Sequence, residues 1–187
     1  IALVCGGSQG IGKAIAIELA NLGASCILLA RNEAALIAAV ETLSKENGQQ
    51  HHFFVVDFTN LDAVREIANQ LSEKFSIDIL INNTGGPSAG PIAAADPTAF
   101  ENAFSQHLIC NHLFAQALIP GMKSKGWGRI INVISTSVKI PINNLGVSNT
   151  IRAAVASWGK TLSNELAPFG ITVNSLLPGF ISTSRLD

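Results

Sequence analysis

In "SNTIRAAVASW", residues 148 to 158, a hydroxyl and a guanidinium stand one helical turn apart at Ser148 and Arg152. That spacing puts both side chains on one face of a helix. The pair reads either as a couple facing a ligand or as an N-cap and a solvated cation. As proton donors the two are poor, because a serine hydroxyl ionises far above neutrality and a guanidinium is always charged. A second constellation, "VCGGSQGIGKAIAIELA", sets Gly6, Gly7, Gly10 and Gly12 between an apolar run and an amphipathic one. Glycines at such a junction let backbone N–H groups at a helix start approach a phosphate. A tight turn with no ligand is the alternative.

Two phosphate-binding spacings compete for this loop. Gly7 to Lys13 fits G-x-x-x-x-G-K, and "FFVVD" ending in Asp57 imitates the acidic second strand of a nucleoside triphosphate site. The next residue, however, is Ala14, where that site needs a Ser or Thr hydroxyl for Mg²⁺. A nucleotide hydrolase therefore lacks its metal ligand. The other spacing, Gly6-x-x-x-Gly10-x-Gly12, departs from the common dinucleotide fingerprint G-x-G-x-x-G.

Elements that could carry these residues alternate along the chain. Apolar, β-branched runs occupy 1–5, 25–30, 52–58, 77–82, 128–135 and 170–176, and helical stretches begin near Gly10, Asn32, Asn60, Asp96 and Ser148. Asn32, and Thr59 or Asn60, have the chemistry of N-caps. Strands apolar on both faces belong in a buried parallel sheet, and regular β-α alternation makes that sheet doubly wound. The expectation is one α/β domain over residues 1–187, in three layers, α/β/α, around an open sheet ordered 3-2-1-4-5-6.

Composition narrows the function. The chain has 187 residues, 48% hydrophobic and 13% charged, with a net charge of -1. With no Lys/Arg run, that balance argues against a nucleic-acid or anionic-membrane surface. No apolar run reaches the roughly 18 residues of a membrane span, and nothing resembles a signal peptide. Cys5, Cys26 and Cys110 are sparse and widely spaced, as expected for buried thiols in a reducing compartment, here the cytoplasm. No His/Cys/Asp cluster has metal-ligand spacing, so no metal is expected. Ile1 opens inside a strand-like run, so the natural N-terminus is expected to lie upstream.

The glycine spacing matches the first motif of the short-chain dehydrogenase/reductase family, and other motifs extend the resemblance in order along the chain. "NNTG" (82–85) resembles the family's N-N-A-G, "PGFIST" (178–183) its P-G motif, and "VVDF" the segment whose aspartate, here Asp57, meets adenine. "GMKSKGWGRIINVIS" and "LSNELAPFGITVNSLLPG" are most similar to the 3-oxoacyl-[acyl-carrier-protein] reductase branch. The family continues past the P-G loop, so a C-terminal piece is expected to be missing too. The resemblance implies a Rossmann-type fold and a dinucleotide held by Gly6, Ser8, Gly10, Ile11, Gly12, Asp57, Asn83, Gly85, Arg152, Pro178, Gly179, Ile181 and Thr183. An NAD site wants a carboxylate at the end of the second strand. Here the strand ends Ala30-Arg31, and a guanidinium suits the 2′-phosphate of NADP(H). A surface charge beside Glu33 is the alternative for Arg31.

The family works with an Asn, a Ser, a Tyr and a Lys. Alignment on "RIINVIS" puts the serine at Ser135, the tyrosine at Ser148 and the lysine at Arg152, and counting back from "LIPGM" puts the asparagine near His107. Register error cannot explain the mismatch, because the chain contains no tyrosine. The expected function is an NADP(H)-dependent oxidoreductase whose hydride transfer to a carbonyl is impaired or uses a non-standard acid. A dinucleotide-binding sensor or scaffold is the alternative. His107 and Lys139 are the other candidate proton sources, weighed against a core histidine and a solvated loop lysine. Asn111, one turn beyond His107, is read as core packing or as a substitute asparagine. His51 and His52 head a strand and read as structural. The substrate class is a small carbonyl or alcohol, an acyl thioester among them. Phe100, Phe104, Leu108 and Leu113, with Ile151, Val155, Trp158 and Leu162, make two helices apolar on more than one face. A homodimer or homotetramer is expected from them.

Overall fold

The computed structural model describes residues 1–181. Their strands are β1 (Ala2–Cys5), β2 (Cys26–Ala30), β3 (His52–Val55), β4 (Ile79–Asn82), β5 (Gly128–Val133) and β6 (Ile171–Leu176). They form one sheet in the order β3-β2-β1-β4-β5-β6, every neighbouring pair parallel. β1 and β2 are buried along their whole length, as their unbroken apolar composition requires. This is the three-layer, doubly wound α/β fold expected from the sequence.

Among the described residues six α-helices connect the strands: α1 (Gly10–Asn21), α2 (Glu33–Glu41), α3 (Leu61–Lys74), α4 (Pro97–Phe104), α5 (Cys110–Lys125) and α6 (Gly146–Leu166). Ala16 and Ala20 of α1 and Leu36 and Ala39 of α2 pack on one face of the sheet. Leu71 of α3, Phe114 and Met122 of α5 and Leu166 of α6 cover the other. Local chemistry sets several helix starts. Asn32 Oδ1 accepts from Ala35 N at 3.0 Å, Asn60 Oδ1 from Ala63 N at 3.1 Å, and Asp96 Oδ1 from Thr98 N at 2.8 Å. Each acceptor satisfies an amide that the helix itself leaves open. The capping choice between Thr59 and Asn60 thus falls on Asn60.

Three boundaries differ from expectation. β3 ends at Val55, not at residue 58, and Asp57 Oδ1 then accepts from Thr59 N at 2.9 Å to turn the chain. The stretch read as one helix from about residue 100 is α4 and α5 joined by a π-helical turn, Ser105–Ile109. Finally, α6 starts at Gly146, so Ser148 is its third residue and no N-cap. The reason is tertiary. A Cβ on Gly146 would lie 2.4 Å from Cβ of Ile92, so the helix begins where its backbone is pressed against the 90–92 loop. Beside it, Gly90 N donates to Asn144 O at 2.7 Å and Gly146 N to Gly90 O at 3.1 Å.

Among the described residues no helix is long and apolar enough to cross a membrane. The three cysteines are free and buried. Burial pushes the Cys26 thiol up to about 11 and the Cys110 thiol up to about 12, and raises Cys5 further.

Candidate active site

In an open parallel sheet, ligands meet the carboxyl ends of the strands where the strand order reverses. Here that point lies between β1 and β4. The glycine loop closes the end of β1. Gly6 has a φ of +62° and Gly10 one of +53°, in the left-handed region that favours glycine. A Cβ on Gly12 would sit 2.1 Å from the Gly6 carbonyl oxygen, and one on Gly6 would sit 2.3 Å from that of Asn83. The unusual Gly6-x-x-x-Gly10-x-Gly12 spacing is therefore demanded by the packing of the turn itself. Asn83 Nδ2 donates to the carbonyls of Cys5 and Gly6, both at 3.3 Å. Its amide clamps the glycine loop to the end of β4, beside the start of α1, where a helix leaves its first amides open, a setting that fits a pyrophosphate. Ser8 is half-buried in the same loop, and Gly85 is exposed with open space around it.

At the end of β2, Arg31 is exposed, and Asp57 stands close enough to feel its charge. The Asp57 carboxyl is held below the usual carboxylate range, first by its bonds to Thr59 and then by Arg31. Ala14, where a triphosphate site needs a hydroxyl, is exposed on α1. Among the described residues no cluster of His, Cys, Asp or Glu could hold a metal ion.

Beyond the ends of β4 and β5 a cavity of about 260 Å³ brings Ser135, Ser148 and Arg152 together. Ile11, Asn83, Pro178, Gly179 and Ile181 also line it. Thr183 lies outside the described residues. Ser135 follows β5 in extended backbone, and its Oγ accepts from Ser137 N at 3.1 Å. Arg152 is no solvated cation, being only 9% exposed. Its Nη1 donates to Val133 O at 2.9 Å, a charge-assisted bond joining α6 to the end of β5.

His107 is set apart from these three. The π-helical turn buries it to 1% exposure, and it lines a second cavity of about 420 Å³. Its Nδ1 shares a 2.6 Å hydrogen bond with Thr84 Oγ1, and Thr84 lines the first cavity. Thr84 is the residue that sequence reasoning passed over. Its signal was the threonine where the family motif N-N-A-G carries alanine. Lys139 is exposed and lines neither cavity, and Asn111 is buried in α5 away from both. His51 is structural: Nδ1 accepts from Cys26 N at 3.1 Å, and Nε2 lies 2.8 Å from Ser44 O.

The two helices read as apolar on several faces find much of their cover inside the chain. Ile151 packs with Ala103, Val147 and Phe100, Val155 is buried, and Trp158 and Leu162 rest on the main core. Phe104 is the member of that set left exposed, at 43%.

The family model for short chain dehydrogenases matches residues 1–187. A 3-oxoacyl-[acyl-carrier-protein] reductase of Vibrio harveyi is 36% identical over 185 residues, which are 98% of this chain and 74% of that protein. The crystal structure of YwfH, an NADPH-dependent reductase involved in bacilysin biosynthesis, superposes with a TM-score of 0.92 at 31% identity, covering 98% of this chain and 73% of that one. L-Sorbose reductase from Gluconobacter frateurii, complexed with NADPH and L-sorbose, superposes with a TM-score of 0.92 at 31% identity, covering 98% and 70%.

Proposed function

The chain belongs to the short-chain dehydrogenase family, and on that premise we propose that it moves a hydride between NADP(H) and a small carbonyl or alcohol, with proton delivery that does not use a phenol. Bound NADPH would supply the hydride. One observation carries the reading: Ser135, Ser148 and Arg152 share one cavity beyond the ends of β4 and β5, in a chain with no tyrosine. Ser135 is the group suited to hydrogen-bond the substrate oxygen. Arg152, anchored on Val133 O, offers a fixed cation to the nicotinamide ribose but no exchangeable proton near neutrality. Ser148 keeps a hydroxyl where the family has its acid, and that hydroxyl donates only if another group replaces its proton.

The choice of NADP(H) rests on Arg31 at the end of β2 and on the NADPH in the names of two structural neighbours. The likeness to the Vibrio harveyi enzyme makes 3-oxoacyl thioesters the first substrates to try. Ala14 speaks against a triphosphate hydrolase. The missing phenol favours a second reading, a dinucleotide sensor or scaffold that binds without turnover. We further infer a two-fold dimer or tetramer in the cytoplasm. Exposed Phe104 supports the assembly, and a monomer by light scattering at high concentration contradicts it.

Titration with NADPH and NADH, followed by assays on 3-oxoacyl thioesters and small ketones, tests the function. NADPH binding with slow turnover is the expected result. Binding with no turnover selects the sensor, and no binding of either nucleotide overturns both readings.

A further inference from the structure

Thr84 and His107 form the partition between the two cavities. Thr84 lines the cavity that holds Ser135, Ser148 and Arg152, and His107 lines the larger one beside it. Their 2.6 Å hydrogen bond spans 23 residues of sequence and joins one side to the other. Val147 and Ser148 divide the same way on α6, Val147 facing the outer cavity and Ser148 the inner. Among the described residues the outer cavity is lined by no Asp, Glu, Lys or Arg, and the inner one has Arg152 as its single charged side chain. An imidazole can give a proton from one ring nitrogen as it takes one on the other, and among the described residues His107 is the one imidazole that lines either cavity. A π-helical turn presents it, and such turns recur at functional sites.

We propose that Thr84 and His107 are a proton relay that supplies the inner cavity in place of the missing tyrosine. The inference rests on the oxidoreductase reading above. Hydride addition from the reduced nicotinamide breaks the carbonyl π bond, oxidises the cofactor and leaves an alkoxide, which needs one proton. That proton enters the cavity from the Thr84 hydroxyl. The Nδ1–H of the neutral imidazole at position 107 passes to Thr84 Oγ1 as that hydroxyl gives up its own proton. A proton taken up from solvent on Nε2 keeps the ring neutral, and exchange of the ring proton back to Nδ1 resets the relay. With Nδ1 protonated the ring is the donor, and the threonine O–H, which in this structure donates weakly to Gln106 O at 3.4 Å, turns from that carbonyl to donate onward. Ser148 stands in the same cavity and completes the path where the substrate oxygen lies beyond reach of Thr84. Thr84 is the proton donor of the relay, and His107 acts through it.

Two readouts test the relay together. The first needs no turnover: ¹⁵N-edited NMR of the imidazoles in wild type and Thr84→Val. A change at His107 Nδ1 is expected, and an unchanged signal overturns the proposal. The second is steady-state kinetics of wild type, Thr84→Val, Thr84→Ser and His107→Gln, with NADPH affinity measured on each protein. Thr84→Val and His107→Gln should lose at least tenfold in kcat with NADPH affinity within twofold of wild type. Thr84→Ser, which keeps the hydroxyl, should recover most of the loss. Equal kcat in wild type, Thr84→Val and His107→Gln overturns the relay and leaves the oxidoreductase reading intact. Wild type that binds NADPH but reduces no carbonyl also overturns it, in favour of the sensor. Wild type that binds no NADPH ends both.

Discussion

Arg152 Nη1 donates to the carbonyl oxygen of Val133 at 2.9 Å, across the junction of α6 and β5. The bond holds a charged side chain, 9% exposed, against the wall of the cavity that Ser135 and Ser148 also line. A lysine at this place shares its three donors as a mobile point charge, whereas a guanidinium is planar and permanently charged. A permanently charged guanidinium thus cannot stand in for a titrating lysine, and the Ser148 hydroxyl donates a proton only where another group replaces it.

Restoring the pair that the family uses is the direct check on that conclusion. Ser148→Tyr with Arg152→Lys places a phenol and an ammonium in a scaffold that already has Ser135. A positioned general acid contributes about 10²–10⁴ in rate, so reduction of 3-oxoacyl thioesters by the double variant should exceed wild type by at least that lower factor. Fast wild-type turnover that the double variant does not improve would show that the phenol is dispensable.

Arg31 is predicted to choose the cofactor. A charge-assisted bond to the 2′-phosphate is worth roughly 1.5–3 kcal/mol. Arg31→Ala should therefore weaken NADPH binding by about ten- to a hundredfold and leave NADH binding nearly unchanged. Isothermal titration of both nucleotides into both proteins decides it, and equal wild-type affinities for the two would remove Arg31 from the site.

The glycine turn makes a sharper demand. Gly12→Ala forces a methyl to within 2.1 Å of the Gly6 carbonyl oxygen, which no rotamer relieves because both atoms are backbone-fixed. Overpacking of this kind costs about 1–3 kcal/mol, and displacement of the loop should abolish nucleotide binding. A variant with a wild-type urea midpoint and NADPH affinity would contradict the described turn.

The buried thiols give a pH prediction with a definite sign. Burial lifts Cys26 to about 11 and Cys110 to about 12, above the roughly 8.5 of an unfolded thiol. The unfolded chain loses these protons first, so stability is full below that value and falls as pH rises toward the folded values. Asp57 runs the other way: its lowered carboxyl, bonded to Thr59, contributes stability at neutral pH that fades as acid protonates it. Urea midpoints should therefore decline from pH 8 to pH 10. A thiol reagent at pH 8 should label no cysteine in the folded protein and all three in denaturant. Labelling of the folded chain would place a cysteine at the surface.

By itself the sequence determined the sheet, the crevice and the absent acid. Strands buried on both faces have to be apolar throughout, and glycines have to stand where a Cβ would collide with Gly6 or Asn83. The lack of a phenol needs no structure at all, since composition alone shows it. Local patterning says which face of an element is apolar but not which neighbour covers it. Only the tertiary structure started α6 at Gly146, because the 90–92 loop presses on that residue. Only folding covered Ile151 with Ala103 and Phe100 of α4, neighbours that the apolar pattern of α6 does not name. It also buried Arg152 against Val133 and brought Thr84 to His107 across 23 residues. Those contacts join elements that carry no mark of each other in sequence, and packing alone sets their distance.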